Sequence, residues 1–68
     1  MELTKYDKAR LRKWADGLAV DLMNNGVNIN PFQKAANAMT RDAGAVARDL
    51  GGDITAEQVK RYFKREYK

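Results

Sequence analysis

Sixty-eight residues leave room for one small domain built on one core. A chain of this length buries only about 60% of the surface its unfolded form exposes, so a second domain or a deep small-molecule pocket is not expected. The chain has no cysteine, histidine or serine. That excludes a disulfide framework and a thiolate zinc site, and it removes the commonest general base and metal ligand. The remaining Thr, Lys, Tyr, Asp and Glu residues form no recognisable catalytic spacing, so neither an enzyme nor a metal, cofactor or small-molecule substrate is expected.

The net charge of +4 comes from 13 basic and 9 acidic residues, and it is unevenly spread. Residues 5–13 carry Lys5, Lys8, Arg10, Arg12 and Lys13 against Asp7 alone. Residues 58–68 carry Lys60, Arg61, Lys64, Arg65 and Lys68 against Glu66 alone. The stretch between them has three basic and six acidic residues. Two basic ends around a mildly acidic middle can form one polyanion-facing surface if the fold brings them together. The N-terminal residues are charged throughout, with no apolar stretch of the kind a signal peptide needs. No apolar run approaches the roughly 18–20 residues that span a bilayer. A cytoplasmic protein without membrane contact is therefore expected.

In chain order, the first predicted element is a helix over about 5–24. Thr4 can cap it, with Asp7 three residues on. Leu11, Trp14, Ala15, Leu18 and Leu22 fall in one arc at helical spacing, which places Trp14 in the core. Tyr6 and Val20 lie off that stripe. Asn24-Asn25-Gly26 is a stop signal, with Gly26 suited to the left-handed C′ position and Val27 to the contact that accompanies it. Val27-Asn28-Ile29-Asn30 alternates, but it sits between a helix stop and a helix start and reads as a loop.

The second element spans about 31–50. Asn30 is a candidate N-cap, Pro31 suits the first helical position, and Gln33 would complete a capping box. Phe32, Ala36, Met39, Ala43, Val46 and Leu50 repeat in alternating steps of four and three. Gly44, costing about 1 kcal/mol relative to Ala in a helix, and Thr40, a capping residue, leave two readings. The segment is one helix, or two over 31–39 and 41–50. Gly51-Gly52 ends it.

The third element covers about 56–67 and carries the clearest local signal. Thr55 and Gln58 form a capping box, and Ile54 and Val59 stand at the two positions of a hydrophobic staple. On a wheel of 100° per residue, Val59, Tyr62, Phe63 and Tyr67 share one arc. Lys60, Arg61, Lys64, Arg65 and Lys68 share the opposite arc. Glu66 falls in the apolar arc and either takes a basic partner such as Lys8 or Arg12 or stays in water on a frayed last turn. Such a helix fits the major groove of B-DNA, where its cations can neutralise phosphates or reach guanine edges.

The run Val46-Ala47-Arg48-Asp49-Leu50-Gly51, followed by Gly52-Asp53 and then residues 54–63, resembles a helix-turn-helix. Ala47 stands where the motif needs a small residue and Gly51 where it turns. Residues 50–63 are similar to the third helix of Myb/SANT domains, and residues 54–68 to that of homeodomains, with Tyr62-Phe63 in place of the homeodomain Trp-Phe pair. The likeness covers residues 46–68. It implies an all-α fold, a three- or four-helix homeodomain-like helix-turn-helix bundle over the single domain 1–68. It implies base-facing roles for Arg61, Lys64, Arg65 and Lys68, with Lys60 flanking on phosphate. Where homeodomains carry their hallmark Asn, this chain has Arg65, and Glu66 stands where they usually have Arg. Only Trp14 answers to the tryptophan framework of Myb repeats.

The function expected is binding of double-stranded DNA, as a transcriptional regulator or a regulator of a phage or other mobile element. Lys5, Lys8 and Arg12 of the first helix would add backbone contacts. A homodimer reading two half-sites is one expectation, with Tyr6 and Val20 as candidate contributors. The alternative is a small helical interaction module or inhibitor that binds an acidic protein surface.

Overall fold

A computed structural model describes residues 2–67. Among them are four helices and no strand: α1 (Lys5–Asn24), α2 (Pro31–Arg41), α3 (Ala43–Leu50) and α4 (Ala56–Arg65). None is long and apolar enough to cross a membrane.

The ends of α1 follow from local chemistry. Thr4 Oγ1 accepts from the Asp7 amide at 3.1 Å, and Asp7 Oδ2 accepts from the Thr4 amide at 3.1 Å. At the other end the Gly26 amide donates to Met23 O and the Val27 amide to Leu22 O, with Gly26 at φ 92°. This is the paired closure of a Schellman motif. The chain then reverses, and α2 packs along α1 in the most extensive helix contact of the fold. Ala15 and Ala19 of α1 and Ala35 and Ala36 of α2 are all buried. Small side chains here let the two backbones approach.

Those alanines displace larger residues, and two sequence expectations are corrected. Trp14 is not in the core but 38% exposed. Leu11, Ala15 and Ala19, in steps of four, take the inward line, and the indole sits one position to the side. There it lines a shallow recess with Leu18, Ala38 and Ala45. Phe32 likewise leaves the expected stripe, because Ala35 and Ala36 hold the α1-facing side of α2. Val20, Met23, Ile29 and Phe32 are all exposed, on α1, the loop that follows it and the first turn of α2.

The second segment divides into two helices, as one of the two sequence readings had it. The break falls at Asp42 (φ −99°, ψ 25°), so the later helix begins at Ala43 and not at 41. Thr40 is not the cap, because its hydroxyl is spent on Ala36 O at 2.9 Å. The expected Asn30–Gln33 capping box is also absent. Asn30 adopts a left-handed conformation (φ 51°, ψ 50°) and makes no side-chain cap bond, while Gln33 Nε2 donates to Asn37 Oδ1 at 2.9 Å.

α3 and α4 are joined by residues 51–55. The capping box of α4 is formed: Thr55 Oγ1 accepts from the Gln58 amide at 3.2 Å, and Gln58 Oε1 accepts from the Thr55 amide at 2.9 Å. Val59, Tyr62 and Phe63 point inward onto Leu11, Met39, Val46 and Ala47. Full burial of Leu11 and of Val59 contributes about 1.5–3 kcal/mol each. The helix ends at Arg65 and not near 67. The Glu66 and Tyr67 amides both donate to Tyr62 O, and the Tyr67 ring folds back on Phe63 in an edge-to-face contact at 5.2 Å.

Candidate nucleic-acid interface

The inward arc of α4 is filled by Val59, Tyr62 and Phe63, so the outward arc is settled by helical geometry. Lys60, Arg61, Lys64 and Arg65 are all exposed on it. Among the described residues none of the four pairs with a carboxylate. Their charge is therefore open to solvent along one ridge of about one and a half turns. Lys64 and Arg65 also lie in the last turn, where the helix dipole favours cations. Lys68 lies outside the described residues.

Two contacts anchor the C-terminal end of this ridge to α1. Lys8 Nζ meets Glu66 Oε1 at 2.9 Å, which gives Glu66 one of the two partners expected for it. The hydrogen bond to Glu66 raises the pKa of Lys8. Tyr67 Oη donates to Asp16 Oδ1 at 2.7 Å. Burial, then this bond, holds the Tyr67 phenol well above its ordinary value. Burial also raises the pKa of Tyr62.

The N-terminal cations divide differently from the sequence pattern. At about 100° per residue Lys5, Lys8 and Arg12 fall within one arc of about 60°, whereas Lys13 and Arg10 lie farther round the helix. Lys8 is engaged by Glu66. Arg10 Nη2 donates to Leu50 O at 2.9 Å, closing the C-terminal end of α3, and its guanidinium lies 5.4 Å from the Tyr6 ring centroid. Arg12 stands 3.9 Å from Asp16. Lys5 is exposed at the start of α1. Lys8 and Arg61 border one small recess, so the two basic segments do meet, but with Glu66 between them.

No protein-family model, curated protein or solved structure matches this chain.

Beside the ridge runs an open surface groove of about 780 Å³ between α2 and α4. It is a trough and not a deep pocket. Lys60 and Lys64 stand on its α4 side, Gln33, Asn37 and Thr40 on its α2 side, and Ala36, Phe63 and Tyr67 close its floor. Sequence reasoning missed the α2 wall. The signal was present, since Gln33 and Asn37 are polar residues four apart, off the Ala36–Met39 stripe. Nothing local indicated that α4 would lie next to them. The recess at Trp14 is bordered by Ala38, which lies on α2 roughly 100–140° around from Gln33 and Asn37, and by Asp42 just past the end of α2. The two concave features therefore flank opposite sides of α2.

Proposed function

We propose that this chain binds double-stranded DNA as a small homeodomain-like helix-turn-helix regulator, with α3, residues 51–55 and α4 as the motif and α4 in the major groove. The observation that carries the reading is the α4 ridge: four exposed cations on a short, firmly capped helix, none of them paired with a carboxylate among the described residues. A helix of this diameter enters the major groove, and its cations are suited to phosphates on the rims and guanine edges on the floor. Arg61, Lys64 and Arg65 are the base-facing candidates, and Lys60 flanks on phosphate. From α1, Lys5 is a candidate backbone contact. Lys8 and Arg12 contribute less, because Glu66 and Asp16 already offset their charge. The role that fits such a protein is control of transcription or of a mobile element in the cytoplasm, and a homodimer would supply a second half-site.

The test is duplex affinity against salt. Binding should weaken about tenfold or more between roughly 50 and 200 mM salt, the loss that several phosphate contacts impose. Lys60→Ala should weaken binding to all sequences and flatten the salt slope by about 0.9, whereas Lys64→Ala should also relax base preference. Lys8→Ala should leave the slope almost unchanged. Absence of duplex binding at low salt overturns the reading.

A further inference from the structure

The groove between α2 and α4 has a chemistry that the cationic ridge alone does not explain. One wall carries the cations Lys60, Arg61, Lys64 and Arg65, with the ammonium groups of Lys60 and Lys64 on consecutive turns of α4. The facing wall carries two amides, Gln33 and Asn37, on consecutive turns of α2. Each wall thus repeats a polar group at a rise of about 6 Å. The amides are joined to each other by the bond from Gln33 Nε2 to Asn37 Oδ1, which orients both side chains. An amide nitrogen has two protons, so Asn37 Nδ2 keeps both and Gln33 Nε2 keeps one. If both amides were turned over, the pair would still hold one mutual bond and three spare protons. The wall is therefore rich in fixed, neutral hydrogen-bond donors.

We infer that this groove is a strand-binding trough that takes one sugar-phosphate backbone of duplex DNA, with Lys60 neutralising phosphate, the Gln33–Asn37 pair donating hydrogen bonds to it, and Lys64 reaching past the backbone toward the bases. The inference rests on the duplex reading of α4 and extends the contact surface to α2. A single strand is a poorer occupant. Its affinity comes largely from bases stacked on exposed aromatic faces, and here Phe63 and Tyr67 are 6% and 8% exposed, with their rings turned into the core. Glu57 also lines the groove, at the N-terminal turn of α4. Its carboxylate opposes phosphate there and directs the backbone toward the Lys60–Lys64 end.

The test uses the full chain and a short labelled duplex, titrated at several salt concentrations. Asn37→Ala should weaken binding about three- to tenfold, the loss expected for an ordinary hydrogen bond at a solvent-exposed site. It should leave the salt slope unchanged, because a neutral side chain releases no counterion. Glu57→Gln should act in the opposite direction and tighten binding. Both residues are exposed, so matching circular dichroism spectra and melting curves separate these effects from unfolding. If Asn37→Ala and Glu57→Gln both bind like the parent while Lys60→Ala still flattens the slope, the trough assignment is wrong and the α4 reading stands. If the parent does not bind duplex at low salt, both fail. Tighter binding of the single strand of the same sequence than of its duplex also overturns the trough assignment.

Discussion

At the scale of single residues, the contact that does most to set the end of α4 is Tyr67 to Asp16. The phenol is buried, and its proton goes to a carboxylate 51 positions away in the chain. Tyr67→Phe keeps the ring packing on Phe63 and removes only this bond. Asp16 is partly exposed, so its carboxylate can be rehydrated, and the expected cost is about 0.5–1.5 kcal/mol. In a domain of this size that lowers the melting temperature by roughly 4–8 °C per kcal/mol. The same contact predicts alkaline lability. The pKa of the folded phenol lies above its unfolded value of about 10, so its stabilisation is complete below that pH and is lost as pH rises toward the folded value. Thermal melts at rising alkaline pH should show the parent losing stability, and Tyr67→Phe losing less. Tyr62, also raised by burial, keeps some of the decline in both. None of this was legible in the sequence. Tyr67 could be placed on the apolar arc of a helix, but a hydroxyl partner on another helix has no local signature. Glu66 was more legible, because a carboxylate in an apolar arc needs a cation or water, and Lys8 was one of two candidates named.

At the scale of elements, legibility follows how local the determining chemistry is. The capping boxes at Thr4–Asp7 and Thr55–Gln58 and the Schellman closure at Gly26 involve residues within one turn, and all three form as the sequence implies. Asn30 fails for a physical reason. The loop must reverse direction to lay α2 on α1, and Asn30 takes up that reversal in a left-handed conformation, which costs it the cap geometry. The turn between α3 and α4 makes a sharper prediction. Gly51 sits at φ 77°, ψ −173°, a region essentially reserved for glycine. A Cβ there would meet no atom within 4 Å, so any penalty is backbone strain and not a clash. Gly51→Ala should cost about 1–3 kcal/mol. Gly44 has equally open surroundings but lies inside α3, and Gly44→Ala should gain about 0.4–1 kcal/mol by restricting the unfolded chain. Opposite shifts of melting temperature from the same chemical change would check that the turn is set by backbone conformation. Equal shifts would contradict it.

At the scale of the whole molecule, helix order was readable from periodicity and helix number only to three or four, while the packing of helices was not readable, and the candidate site depends on packing. Which side of α2 meets α4 decides that Gln33 and Asn37 face the cations and that Trp14 does not. The exposed cations and amides lie along the α2–α4 trough, and the half-exposed indole lies across α2 in the recess against α3. This separation gives a test of orientation that needs no substitution, because the chain has one tryptophan. Trp14 should be readily quenched by acrylamide, and saturating duplex DNA bound along α4 should leave that quenching nearly unchanged. An indole that becomes shielded on binding would mean that the duplex covers the α1–α2–α3 side. The α4 ridge would then be a solvated surface, and the charge at residues 5–13 would have to account for affinity. That outcome is disfavoured by the ion pairs and the hydrogen bond already made. Among the described residues Lys8, Arg10 and Arg12 have partners in Glu66, Leu50 O and Asp16, which leaves Lys5 and Lys13 as the exposed cations of that stretch, whereas Lys60, Arg61, Lys64 and Arg65 pair with no carboxylate. A polyanion gains most where it need not displace an existing contact, and on this molecule that is the face shared by α2 and α4.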